Sequence, residues 1–268
     1  MITRFDEFLN KPIKRARVKD FERWVEANDW GLPTISNPSP GNETEKSAHK
    51  AIKAYLREVL GLKKHPLLSH KVEHRKGQRR KALTVSEKEA ALADVARMTR
   101  PRVLVIRNTA FMEMLWWTMV RRNELANLLM ENVLIERGFI KVWAKAANKK
   151  GKRLQWKKLS PDAKKALREW LEIRPQFNPT CPYVFITRDG GHWTSNSVSS
   201  FFKRLDKRLA FKIYSHAYRG GGITWALEQG VPDRLVMKQS GIDSPAVFRG
   251  YSETVSLNSY GELLWGER

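Results

Sequence analysis

The chain has 268 residues, enough for one large or two small domains at roughly 100–200 residues each. Lys and Arg total 50 against 28 Asp and Glu, a net charge of +22 that points to an anionic partner, nucleic acid before membrane, because neutralising phosphates releases condensed counterions. An apolar fraction of 41% supplies a core and excludes wholesale disorder, and the single cysteine, Cys181, excludes a disulfide framework or a multi-cysteine zinc site.

No run of about 18 apolar residues is present to span a membrane, and the first residues lack the apolar stretch of a signal peptide. A cytosolic, reducing location is therefore expected. Phe5, Phe8 and Leu9 precede Pro12, and Val18, Phe21, Trp24 and Val25 recur at helical spacing, which predicts short helices. Residues 31–43 hold Gly31, Pro33, Asn37, Pro38, Pro40, Gly41 and Asn42 and read as a loop. Ala48, Ile52, Tyr55, Leu56, Val59 and Leu60 restore the helical period over 44–60, with Gly61 closing that helix. Residues 63–81 carry eight Lys or Arg and one acid, with little to pack. They read as an interdomain linker that tracks a phosphate backbone through Lys63, Lys64, Arg75, Lys76, Arg79, Arg80 and Lys81.

Beyond the linker, Thr84 and Glu87 fit a capping box that opens a helix. Residues 103–115 and 118–130 read as two buried helices. Residues 133–135 and 139–143 flank Glu136-Arg137-Gly138 as a hairpin, and Leu154, Trp156 and Leu159 mark a third strand. Ser160 and Pro161 supply an N-cap and a first-turn proline for a helix to about Ile173. Residues 183–186 form a short strand or a buried loop. Residues 196–211 are amphipathic, with Phe201, Phe202, Leu205 and Leu209 on one face and Lys203, Arg204, Lys207 and Arg208 on the other, the latter suited to phosphate. The ten tryptophans are assigned to core packing. The architecture expected is mainly α with a small antiparallel β-sheet (α+β): a helical N-terminal domain over 1–70, a basic linker over 71–82, and a second domain over 83–268 with a C-terminal tail.

Four features of the second domain carry chemistry. Arg121 and Glu124 are three apart, so a carboxylate can hold a guanidinium in place for a phosphate. The hairpin over 141–158 holds Lys141, Lys145, Lys149, Lys150, Lys152, Arg153, Lys157 and Lys158 with no acid; it suits contact with a phosphate backbone and one lysine as proton donor, and spacing alone does not choose which. His216 and Arg219 can grip one phosphate together, and the three glycines that follow cost a helix roughly 1 kcal/mol each, to be offset by close approach of a backbone or packing on a neighbouring helix. Gly241 is followed ten residues later by Tyr251.

In this order and spacing the set resembles the tyrosine recombinases, the phage-integrase family. Thr118-Met-Val-Arg121-Arg-Asn-Glu124-Leu125 is similar to that family's first arginine box, Ala144-Lys145-Ala146 to its hairpin lysine, His216-Ala-Tyr-Arg219 to its His-x-x-Arg box, and Leu83-Thr-Val-Ser-Glu87 to the opening of its catalytic domain. The resemblance implies a helical DNA-binding domain followed by a catalytic domain that cuts and rejoins double-stranded DNA through a covalent 3′-phosphotyrosine. It implies Tyr251 as nucleophile, Arg121 and Arg219 on the phosphate, Glu124 orienting Arg121, His216 as proton acceptor or phosphate ligand, and Lys145 as proton donor with Lys149 in reserve. Lys150, Lys152 and Arg153 would touch DNA. It further implies a tetramer on two DNA sites, with accessory DNA-bending proteins as further partners, for integration or excision of a mobile element, with no metal and no cofactor.

The sequence departs from the family pattern at Met119, Gly220 and Ile242, the last standing where a hydrogen-bonding side chain is usual. Two other functions stay open on the sequence: a DNA-binding protein of the same fold with impaired catalysis, and a type IB topoisomerase-like enzyme.

Overall fold

The computed structural model describes residues 2–28, 43–73, 82–97, 101–145, 152–252 and 255. The chain divides into two compact units, Met1–Arg80 and Lys81–Arg268. No helix among the described residues is long and apolar enough to cross a membrane.

The first unit is helical: α1 (Ile2–Phe8), α2 (Val18–Ala27), α3 (Glu43–Ala54), which runs on through a π-turn at Tyr55–Val59, and α4 (Pro66–Ser69). Phe5, Phe21, Trp24, Ala48, Ile52 and Leu56 are its core. The linker expected over 63–81 starts later than the charge pattern suggests. Leu67 is fully buried in that core and Val72 packs against it. His49 Nε2 donates to the Leu67 carbonyl at 3.1 Å and Lys53 Nζ to the His70 carbonyl at 2.6 Å, so 66–70 is sewn to α3. Two leucines and a valine within a run of charge are enough to fold it. The loop expected over 31–43 and the basic residues Arg75, Lys76, Arg79, Arg80 and Lys81 lie outside the described residues.

The second unit holds α5 (Val85–Arg97), α6 (Arg102–Thr118), α7 (Arg122–Ala126), β1 (Val133–Leu134), β2 (Phe139–Lys145), β3 (Lys152–Lys158), α8 (Pro161–Ile173), α9 (Ser195–Asp206), α10 (Ser215–Glu228), α11 (Asp233–Ser240) and a further helical segment, α12, at 245–252. The caps follow the sequence. The Glu87 carboxylate accepts from Thr84 N at 2.8 Å, and Ser160 Oγ accepts from Ala163 N at 3.1 Å. α6 is buried on all sides, with Ala110, Phe111, Met112, Met114, Leu115 and Trp116 at 0–1% exposure, so it is the axis of the core against which α8 and α10 pack.

The helix expected over 118–130 is broken. α6 stops at Thr118, and Met119 adopts φ +54°, a left-handed conformation that costs about 1 kcal/mol for a residue with a Cβ. Burial of Met119 among Ile223, Val236, Ile242 and Phe248 offsets that cost. The turn redirects the chain so that Arg121 becomes the N-cap of the short α7. The segment at 183–186 is a buried loop. Arg174 donates to the carbonyls of Asn178, Cys181, Tyr183 and Val184, and Arg107, stacked 3.9 Å from Trp193, donates to that of Ile186. The amphipathic helix ends at Asp206 rather than 211, where the Asp206 carboxylate accepts from Ile213 N.

The three strands form one antiparallel sheet in the order β1-β2-β3, with Lys141 opposite Trp156 and Phe139 opposite Lys158. Ile140, Val142 and Ala144 face the core. The apolar residues of β3 do not. Leu154 and Trp156 point outward at 40% and 51% exposure, and Lys157 points inward at 1%. Trp143 is outward too, so the assignment of every tryptophan to the core is corrected at Trp143 and Trp156. Successive strand residues face opposite sides, so Leu159, buried, sets a phase that places Lys157 and not Trp156 inside.

The glycines of α10 answer to α6. A Cβ at Gly221 would lie 2.4 Å from the Trp116 ring, and one at Gly222 would lie 2.2 Å from the Trp116 carbonyl oxygen. Helix packing and close backbone approach are here one cause, and the backbone approached is that of α6. Gly222→Ala should therefore destabilise the chain by about 2 kcal/mol despite the better helix propensity of alanine, since backbone cannot give way as a side chain can. A lower urea midpoint with unchanged slope would show it. An unchanged midpoint would mean that α10 shifts off α6 at no cost.

Candidate active site

Three segments bring charge together: the start of α7, α10 and β3. At the start of α7, Glu124 bonds Arg121 twice: its carboxylate accepts from Arg121 N at 2.8 Å and from Arg121 Nη1 at 2.8 Å. Glu124 is buried while the Arg121 side chain is 45% exposed. A fixed carboxylate thus presents a guanidinium outward, the geometry that suits an incoming anion. The pair expected from the spacing is thus present, and it also caps α7.

On α10, Arg219 is 2% exposed and His216, a turn earlier, is exposed. Arg219 Nη2 donates to the Ser240 carbonyl at 3.0 Å, at the end of α11. Its Nε and Nη1 have no hydrogen-bond partner among the described residues. Burial, and then Arg121 nearby, lower its pKa to about 10, against the pull of Glu124 and Tyr251. It is a buried cation, still charged at neutral pH, with donors left over. Burying such a group is unfavourable without a partner for it, and an anion bound here supplies one.

Tyr251, on α12, is half-buried, and its ring lies 3.8 Å from where a Cβ on Gly220 would stand, next to Arg219. Ile242 is buried with Met119, Val236 and Phe248, so it serves the core that seats α12.

Lys145 and Lys152 pair at the ends of β2 and β3, and their side chains lie outside the described residues, as do Lys149 and Lys150. Arg153 forms an ion pair with Asp243. Among the described residues, the hairpin lysine that enters the site is Lys157. Its Nζ donates to Gln155 Oε1 and to the Lys238 carbonyl, each at 2.9 Å. Burial lowers its pKa to about 8, with Glu124 opposing and Arg219, Arg121 and Arg153 adding to the fall. Gln239 completes the joint: its side-chain amide pairs with the backbone N–H and carbonyl of Lys158 and donates to the Trp117 carbonyl. One side chain thus fastens α11 to the edge of β3 and to the end of α6.

Of the other basic residues expected on DNA, Lys63 and Lys64 are exposed on the first unit, and Lys203, Arg204 and Lys207 on the second. Arg208 is paired with Asp94 at 3.1 Å. Tyr260, a second C-terminal tyrosine, lies outside the described residues. Among the described residues no group of three or more His, Cys, Asp or Glu is arranged to hold a metal ion.

Comparison with known proteins places the chain in a family. The phage integrase family matches residues 81–255. The chain belongs to that family. Tyrosine recombinase XerC of Haemophilus ducreyi is 26% identical over 149 residues, 55% of this chain and 47% of that protein, so the match spans about half the relative's length. Among solved structures, XerH site-specific recombinase bound to a palindromic difH substrate superposes with a TM-score of 0.68 at 17% identity, over 98% of this chain and 76% of that one. The Tn1549 transposon integrase in complex with circular intermediate DNA gives 0.68 at 15% identity, over 96% and 90%. The fold is that of the tyrosine recombinases, mostly helical with one small antiparallel sheet.

Proposed function

We propose that this chain is a DNA strand transferase that cuts and rejoins duplex DNA through a covalent 3′-phosphotyrosine on Tyr251. The observation that carries the reading is the juxtaposition of Arg219, buried with two unpartnered donors, and the ring of Tyr251. Tyr251 Oη attacks the scissile phosphorus and the 5′-oxygen leaves. A 5′-hydroxyl of a partner strand then displaces the tyrosine. One phosphodiester replaces another, so the exchange needs no external energy source. Negative charge builds on the non-bridging oxygens, and Arg121 and Arg219 are set to meet it. Glu124 holds Arg121, His216 takes the tyrosine proton or a phosphate oxygen, and Lys145 or Lys149 protonates the leaving oxygen. The DNA is that of a mobile element, integrated or excised by a tetramer on two sites, a reading supported by the family and by the transposon integrase among the structural neighbours.

The experiment is to incubate the protein with nicked duplexes taken from the DNA flanking its gene, denature, and look for covalent adducts. The nick lets the short 5′-hydroxyl strand diffuse away and traps the intermediate. Adducts that map to Tyr251 support the reading. Binding without adducts would favour the second reading, a DNA-binding protein of impaired catalysis, for which Ile242 speaks: it is buried in the core and offers a phosphate no donor.

Binding itself has a signature. With a net charge of +22 the affinity should fall linearly with salt on logarithmic axes. A protein that neutralises about six phosphates loses about a thousandfold in affinity between about 50 and 200 mM salt. Fluorescence anisotropy on a labelled duplex measures this, and a flat response would argue against a phosphate-tracking surface.

A further inference from the structure

Lys157 costs stability where it stands. The inward positions of the neighbouring strand β2, Ile140, Val142 and Ala144, are apolar. An ammonium among them is desolvated, and an apolar side chain of similar volume is as a rule equal or better for stability. It has no direct ion-pair partner among the described residues. Its hydrogen-bond acceptors, Gln155 Oε1 and the Lys238 carbonyl, are neutral. Its charged neighbours are Glu124 at the start of α7, Arg121 at the cap of that helix, Arg219 on α10 and Arg153 on β3, itself paired with Asp243; from α11 it meets a backbone carbonyl.

What the ammonium holds is informative. The last carbonyls of a helix have no partners within it, and they form the negative end of its dipole. At the end of α11, Lys238 O is taken by Lys157 and Ser240 O by Arg219. Gly241, at φ +67°, turns the chain there, and a Cβ on it would lie 2.7 Å from Gln155 Oε1 and 3.3 Å from Lys157 Nζ. Glycine both makes the left-handed turn and opens the space through which Lys157 reaches α11.

We propose that Lys157 is a positioning residue of this site: its ammonium and the Arg219 guanidinium hold the same last turn of α11, and the charged form of Lys157 keeps Arg219 and the α12 segment bearing Tyr251 in register for the phosphate. The inference rests on the strand-transfer reading. The role differs from that of the hairpin lysine that protonates the leaving group, because Lys157 acts through α11 rather than on DNA.

Its pH signature has a distinctive sign. The pKa of Lys157 in the folded chain is near 8, below the ordinary lysine value. Between the two, the unfolded chain binds a proton that the folded chain has released, so this group makes stability rise with pH across that window. Cleavage, which uses the charged form, falls across the same window. A residue that serves packing alone moves activity and stability together.

The test is single-turnover cleavage of the nicked duplexes from about pH 6 to 10, with melting midpoints recorded at each pH, for the full chain and for Lys157→Met. For the parent chain the rate should fall with a midpoint near pH 8 while its melting midpoint holds or rises. Lys157→Met should fold, bind DNA with the parent's salt dependence, cleave about a hundredfold more slowly, and lack the alkaline fall. A pH-independent parent rate through pH 9 would overturn the role of Lys157 whether or not the variant folds, as would parent-like cleavage by Lys157→Met. Absence of any adduct with the parent chain would instead overturn the strand-transfer reading, and this role with it.

Discussion

Tyr251→Phe should bind DNA with the affinity and salt dependence of the parent chain and form no covalent adduct. The ring of Tyr251 packs beside Gly220 and Phe248, with centroids 6.4 Å apart in the latter pair, and phenylalanine keeps those contacts. Only one oxygen is removed, so the fold of α12 and the basic surface stay as they are. The chemical consequence is total, because phenylalanine has no oxygen with which to attack phosphorus. Removing the nucleophile of an enzyme lowers turnover on the order of a millionfold. A denaturing gel of the nicked-duplex reaction separates the outcomes. Adducts that persist in Tyr251→Phe and disappear in Tyr260→Phe would move the nucleophile to the second C-terminal tyrosine. Adducts that persist in both would end the assignment to this tail.

Local chemistry was legible in the sequence wherever a residue acts on its neighbours. The Thr84–Glu87 box and the Ser160 cap hold as read, because a cap is a hydrogen bond within four residues. The Arg121–Glu124 pair was visible for the same reason, although its setting was not. A left-handed residue is usually announced by glycine; here it is Met119, and an apolar residue in an apolar run hides the end of α6. The relation of His216 to Arg219 shows a second limit. Three residues along a helix leave two side chains about 60° apart, enough for one to be buried and the other exposed. Lys157 shows a third. Leu154 and Trp156 differ in parity from Leu159, so they cannot all share a face of one strand, and composition favours the wrong pair. Reading the strand backwards from Leu159 places Lys157 inside. What no local rule supplies is the meeting of β3, α10 and α11, which depends on carbonyl groups at the end of a helix 81 residues from Lys157.

Arg219→Met should lower cleavage on the order of a hundred- to a thousandfold while leaving the unliganded chain at least as stable as the parent. The two halves of this result have one cause. Arg219 is 2% exposed, spends one nitrogen on the Ser240 carbonyl, and leaves Nε and Nη1 without partners among the described residues. In the free protein that arrangement is unfavourable, since a desolvated guanidinium with unused donors lacks the anion that would compensate it. Methionine fills similar space without charge or donors, so the variant escapes the cost at the loss of one carbonyl bond. When a phosphate arrives the balance reverses. The forked donors meet oxygens whose charge grows as the tyrosine attacks, and lysine, a single point charge, cannot reproduce the fork, so Arg219→Lys should recover little of the activity. Inorganic sulfate offers a check that needs no DNA. A ligand that binds only the folded chain raises its melting midpoint by mass action, so sulfate should stabilise the parent more than Arg219→Met when ionic strength is matched with chloride. Equal sulfate shifts in the two proteins, together with parent-like cleavage by the variant, would show that Arg219 staples α10 to α11 and takes no part in holding the phosphate.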